Sequence, residues 1–266
     1  MHAALSDRGA NLAGLGISQC APLGGRGRKL YRALFSSGHG RAAPMLVAKA
    51  SSLNFGTGSF TVESWFNHQS VVYPNTFMPL NNAGNPWNTA PGWIIGQVYR
   101  AGGVSVDLCD GPNLRNGTIA CDIGYRPSDL VGVPAHCAVV FDRVAGTARA
   151  IINGVLQSGS INISSVTGSV NNATPVILGN SVGWTLRGII DGVRIYNRAL
   201  PPYEVAEHYR GSFTNSDGLV GRWDFDEADG PTAYDKSGYG NHGTLVGNPQ
   251  RVQVFKPDRL VAALPA

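Results

Sequence analysis

The sequence predicts an all-β protein: an antiparallel two-sheet jelly-roll sandwich with an irregular N-terminal arm and one short helix near 202–210. Three observations carry this. Glycine (35) and proline (16) are frequent among 266 residues while charged residues are only 14%, a composition suited to short strands and tight turns rather than solvated helices. Apolar and polar residues alternate over several short windows, the period of a strand whose two faces are used differently. Asn-Gly pairs and glycine-rich connections separate those windows, as hairpins require.

Residues 1–44 show neither helical nor strand period and read as an arm outside the core. Residues 1–50 hold seven Lys or Arg against Asp7 alone, a net +6 in a chain of net +4. Those cations are spread among Gly, Leu and Ala, with only Tyr31 and Phe35 as aromatics. That pattern suits contact with neighbouring protein subunits better than with nucleic acid. No stretch reaches the roughly 18 apolar residues of a membrane span, and the N-terminus lacks a basic start followed by a long apolar core. The expected location is the surface of a virion or cell, reached without a visible signal peptide.

The first strand is read where Phe60, Val62, Ser64 and Phe66 alternate with Thr61, Glu63 and Trp65. Residues 73–92 hold four prolines, five asparagines and Trp87, the composition of a long loop at a sandwich edge. Strand-like runs follow at 93–99 and 104–109, and Asn116-Gly117 predicts a turn before a strand at 118–123. Residues 136–141 and 147–152, with turns at 142–146 and Asn153-Gly154, predict an antiparallel meander. Further strands are expected at 175–179 and 188–196. Pro201-Pro202 then opens a helix that Gly211 ends. Residues 45–250 are taken as the sandwich domain and 251–266 as a C-terminal tail. Four cysteines (Cys20, Cys109, Cys121, Cys137) lack zinc spacing; Cys137 reads as a buried thiol, and a bridge between Cys109 and Cys121 stays open.

Four segments in this order resemble the laminin-G-like branch of the concanavalin A-like lectin/glucanase superfamily: 59–66 (SFTVESWF), 136–142 (HCAVVFD) with 151–154 (IING), 176–179 (VILG), and 188–200 (GIIDGVRIYNRAL). The resemblance covers roughly residues 45–210. It implies two packed antiparallel sheets, a glycan-binding or protein-binding surface at one rim, and in some members calcium. Residues 218–227 (GLVGRWDFDE) and 234–245 (YDKSGYGNHGTL) resemble the opening of such a domain, yet they stand at the end. The expectation is that 218–247 completes the sandwich out of the usual order, in its own chain or by swapping with a neighbour.

Retaining glycosidases of the superfamily need paired carboxylates. The chain has only Glu63, Glu204, Glu207 and Glu227, none in a Glu-x-Asp-x-x-Glu pattern, and Glu204 and Glu207 fit a solvated helix face. No catalysis is expected, and His136 reads as structural. Trp65 and Trp223 sit in strand patterns and are assigned to the core. Trp87 and Trp184 lie in loop contexts and, with Asn85, are the candidate glycan-binding residues. Strand alternation puts Asp191 on one face with Ile189, Val193 and Ile195. A carboxylate there needs backbone donors or a hard cation, so a structural calcium held by Asp191, Asp235 and Asn241 is the candidate metal site.

Two functions follow. The first is a non-catalytic subunit of a surface assembly, such as a virion decoration or attachment protein. The second is a free lectin-like carbohydrate-binding protein.

Overall fold

The computed structural model of the protein describes residues 31–36, 45–47, 50–68, 75–76, 80–82, 90–98, 103–120, 134–181, 184–186, 188–246 and 249–254. The strands begin with β1 (Tyr31–Ser36), β2 (Met45–Val47), β3 (Phe60–His68), β4 (Asn75–Thr76), β5 (Leu80–Asn81) and β6 (Gly92–Val98). They continue with β7 (Gly103–Cys109), β8 (Leu114–Ala120), β9 (Ala135–Asp142), β10 (Thr147–Ile152), β11 (Val155–Asn162) and β12 (Val176–Leu178). The last are β13 (Asn180–Ser181), β14 (Trp184–Leu186), β15 (Gly188–Tyr196), β16 (Leu219–Trp223), β17 (Thr232–Ala233), β18 (Gly243–Leu245) and β19 (Gln250–Val254). Helix α1 (Pro202–Tyr209) falls between β15 and β16, and Ser51–Leu53 forms a 3-10 turn.

One sheet runs β11-β10-β9-β3-β15-β1-β19, with β16 also pairing β15; the other runs β17-β18-β2-β12-β5-β6-β7-β8. A small third sheet, β13-β14-β4, contains a parallel pair. The meander forms where the sequence predicts it. Asp142 Oδ1 accepts the Val144 and Ala145 N–H groups at its first turn, and Asn153 (φ 50°) with Gly154 (φ 78°) makes the mirror-image turn that matches strand twist. The inward faces of the two large sheets meet in one core. Phe60 stacks on Phe55 (4.4 Å) and Phe141 (4.3 Å) and sits 5.8 Å from Trp93, with Val104, Val106, Leu108, Val139 and Trp223 fully buried around them.

Several expectations change. Asn116-Gly117 is not a turn but lies within β8. The reversal comes at 110–113, where Asp110 Oδ1 accepts the Asn113 N–H (3.0 Å), and Gly117 packs closely under Ile161, where an added Cβ would lie 3.2 Å from Cδ1. Within the presumed loop 73–92, β4 and β5 are strands and β6 begins at Gly92. The arm is not wholly irregular, nor is the tail: β1 pairs with both β15 and β19. The reason lies in β15, whose second half is taken by β16 while positions 188–190 on the same side remain to be paired.

Asp191 also moves. Between Asp191 and Arg194 the register slips, so that three steps along β15 match two along β3, and Gly192 adopts φ +55°. This bulge reverses the alternation. Ile190, Val193 and Ile195 face the core, and Asp191 stands opposite Trp65 on the outer face instead. Trp65 likewise leaves the core: half-buried, it lies against His136 (5.3 Å) and stacks on Tyr209 (5.5 Å).

That outer face is covered by α1. Glu63, 0% exposed, lies 3.6 Å from His136 Nε2 and 3.1 Å from His208 Nδ1. Arg194 approaches Asp224 at 3.6 Å and packs 3.8 Å from the Phe213 ring centre. Glu204, expected on a solvated helix face, is 3% exposed and forms a bidentate pair with Arg198. It shares the inward face of α1 with Val205 and His208, four residues on. Residues 218–245 bridge both sheets of their own chain, β16 adding to β15 and β18 to β2.

Trp223→Ala is expected to cost about 3–5 kcal/mol in urea denaturation, the range for deleting a buried aromatic. Acid is the second test. Burial pushes His136 down to about 4, Glu63 pulling the other way and Arg194 adding to the fall. An unfolded chain takes up this proton near the ordinary 6.5, the folded chain only near 4, so stability is complete above 6.5 and is lost as pH falls toward 4. Burial alone would raise Glu63, but the His208 hydrogen bond and nearby positive charge hold it below its ordinary value, and its contribution also fades with acid. Denaturation midpoints should fall steadily from pH 7 to 4, with a shallower slope in His136→Phe.

Candidate functional site

Three carboxylates show how this fold treats buried negative charge. Glu63 is closed off between two histidines and α1. Asp235 is also buried, and its oxygens are fully engaged. Oδ1 accepts the Arg222 N–H (2.9 Å) and Ser237 N–H (2.8 Å); Oδ2 accepts the Ser237 hydroxyl (2.7 Å) and Asn241 N–H (2.9 Å). Asn241 completes the clamp. Its Nδ2 donates to the Val220 carbonyl (2.7 Å) and Ser52 Oγ (2.9 Å), and its carbonyl accepts the Trp223 indole N–H (2.9 Å). The Asp235-Asn241 turn is thus fastened to β16 and to the 3-10 turn.

The proposed calcium donors therefore do not form one set. Asp235 and Asn241 meet, but Asp191 lies on the outer face of the first sheet beside β3. A hard cation takes six to eight oxygens, and those of Asp235 already face N–H and O–H donors. Among the described residues no group of three or more His, Cys, Asp or Glu is arranged to hold a metal. These residues do not fit a calcium site. Cys109 and Cys137 are buried free thiols, so no bridge forms at Cys109.

The third carboxylate, Asp107, has no such compensation. On β7 the core side chains are Val104, Val106 and Leu108, so Ser105 and Asp107 point to the outer face of the second sheet. Across that face Asp107 stands between Ile94 of β6 and Asn116 of β8, and the next row is Gly96, Ser105 and Thr118. Exposure falls along the first row, from exposed Asn116 through half-buried Asp107 to Ile94 at 7%. The row is therefore a recess that opens toward β8. Among the described residues Asp107 has neither a hydrogen bond nor a counter-ion, and burial alone lifts its pKa to about 6. A half-buried carboxyl with a raised pKa and no partner in a recess is a candidate ligand-binding group.

Alternation at 104–108 was enough to turn Asp107 outward, but nothing in the sequence marked it as unpartnered. Of the aromatic candidates, Trp184 lies on β14, which runs parallel to β4 with Thr185 opposite Asn75, beside the start of the loop at 73–92. Trp87 and Asn85 lie outside the described residues. Two outcomes check the Asp235 assignment: a chelator leaves the melting temperature unchanged, and Asp235→Ala lowers stability by about 3 kcal/mol, since each orphaned buried donor costs about 1–3 kcal/mol.

No curated protein matches this sequence. Among solved structures, the chain is similar to a protein of Bacteroides ovatus described only provisionally as carbohydrate-binding (17% identity, TM-score 0.62), over 85% of this chain and 60% of that one. It is similar to a receptor binding domain (18%, TM-score 0.50) over 69% of this chain and 43% of that one. The CBM40 of Ruminococcus gnavus IT-sialidase, solved with α2,3 sialyllactose, aligns with 69% of this chain and all of its own (18%), but its TM-score of 0.45 carries no argument. The chain thus spans 60% and 43% of these first two structures, less than two thirds of each, and at these identities the likeness is one of fold. A family model of the concanavalin A-like lectin/glucanases superfamily, Laminin_G_3, matches residues 45–206, more than half the sequence, and the chain belongs to that family.

Proposed function

We propose that this protein is a non-catalytic carbohydrate-binding module whose ligand lies on the outer face of β6-β7-β8, centred on Asp107. The observation that carries this reading is the half-buried carboxyl without a partner. Around it are Asn116 for ring hydroxyls and Ser105 and Thr118 one row away, the convergent polar groups that sugar recognition needs, with buried Ile94 closing the far end of the row. The lectin-like family agrees with it. The non-catalytic part is supported by the fate of the glutamates. Glu63 is enclosed, Glu204 is held by Arg198, Glu227 accepts the Tyr234 N–H at 2.8 Å, and Glu207 is exposed on α1. None is poised as one half of an acid and nucleophile pair.

A second reading, a subunit of a virion or cell-surface assembly, is favoured by one feature. β19 ends the first sheet, and among the described residues its outer edge pairs with nothing, so a neighbouring copy has a strand edge to extend. The rim at Trp184, Trp87 and Asn85 would be a separate contact for glycans.

A glycan array on the isolated chain, paired with sizing, separates the two. The carbohydrate reading expects Asp107→Ala to reduce array binding at least tenfold, with the melting temperature unchanged or raised, because the lost carboxyl had no partner to orphan. Undiminished binding in Asp107→Ala would remove this face from consideration.

A further inference from the structure

Asp107 also constrains which sugars can bind, an inference that rests on the carbohydrate-binding reading above. We infer that this face selects sugars carrying a free, protonated amine, glucosamine-type units, over neutral or acidic ones.

The argument is one of charge. Asp107's neighbours on the face are Ile94, Asn116, Ser105 and Thr118, none of them cationic. Among the described residues the basic side chain nearest in sequence, Arg115, stands opposite Leu108 on the other side of β8 and donates from Nε to Ser165. Among the described residues no charged group contributes to the state of Asp107, which is set by burial. An acidic sugar entering the recess therefore meets an unscreened like charge. A neutral sugar supplies hydroxyl donors and leaves the charge uncompensated. An ammonium group both donates and neutralises, and hydrogen bonds between ionised partners are roughly twice as strong as neutral ones. Desolvation in the recess strengthens that difference.

The rest of the face suits the remainder of an amino sugar. Asn116, exposed at the open end of the row, can both donate to and accept from ring hydroxyls. Gly96 keeps the adjacent row low, where an added Cβ would lie 3.1 Å from Ser105 Oγ. General attraction is not the cause, because the chain as a whole carries +4 and repels a cationic ligand. Binding must come from the local site.

Proton linkage gives a readout that neutral sugars would not produce. A bound ammonium pulls Asp107 down from about 6, so binding near pH 6 releases a proton, and the calorimetric heat then depends on the ionisation enthalpy of the buffer.

The experiment is isothermal titration of the full chain with tri-glucosamine, tri-N-acetylglucosamine and trigalacturonate at pH 5, 6 and 7. Tri-glucosamine should bind at least tenfold tighter than its N-acetylated form at pH 7. The advantage should shrink at pH 5 and disappear in Asp107→Asn, with proton release at pH 6 in the unaltered chain only. Equal binding of the amine and N-acetyl trimers, both lost in Asp107→Asn, would overturn amine selection and leave the carbohydrate face standing. Tighter binding of trigalacturonate would do the same. Binding of no trimer, or binding that Asp107→Asn does not change, would overturn selection and face together.

Discussion

A nine-residue strand buried on both faces, as β15 is, has no water to satisfy its backbone, so every N–H and C=O must find a partner within the protein. β3 supplies one side along nearly the whole length. The other side is shared, β16 taking the end near Tyr196 and β1 the end near Gly188. That division draws in segments remote in sequence: the region after α1 and the basic N-terminal arm, with β19 added beyond it. The bulge at Gly192 lies between the two halves, and through it Asp191 and Arg194 come to the outer face with Glu63 and Trp65. Once those polar groups are there, α1 has to cover and answer them, which His208 and the Glu204-Arg198 pair do.

The compensation of carboxylates separates structure from function. Asp235 is satisfied by three donors of its own turn and one from β16, Glu63 by two histidines and a nearby arginine, and each is held where chain segments must be joined. Among the described residues Asp107 is desolvated without any such return, on the outer face of the second sheet. Removing it therefore should not weaken the fold, the opposite of what is expected at Asp235.

Much of the fold was legible because local signals were strong. The alternation at 60–66, the Asn153-Gly154 turn and the Pro-Pro start of α1 each act within a few residues. The failures share a cause. Asn116-Gly117 carries a turn signal that a better turn at Asp110 and the packing of Ile161 override. Asp191-Gly192 reads as ordinary alternation until the pairing with β3 shows the extra residue. Glu204 reads as solvated because its partner, Arg198, and the sheet beneath it belong to a tertiary contact. The pairing of β1 with β19 joins residues more than two hundred positions apart and leaves no local trace in either segment. For the candidate site, loop context pointed to tryptophans and the family to a rim with calcium, while the unpartnered acid on the outer sheet face appears only once three strands are laid side by side.

The way β1 and β19 meet has a mechanical side. They run antiparallel with Tyr31 opposite Val254, so these two residues lie at the same end of one two-strand ribbon. A load pulling those two points apart does not shear the ladder as a whole; it opens the ribbon one rung at a time, starting at Tyr31. The sandwich behind it, closed by β16 and β18, carries none of that tension until the ribbon has parted. The edge of the first sheet thus acts as a fuse, yielding at low force while the recess at Asp107, on the other sheet, keeps its shape.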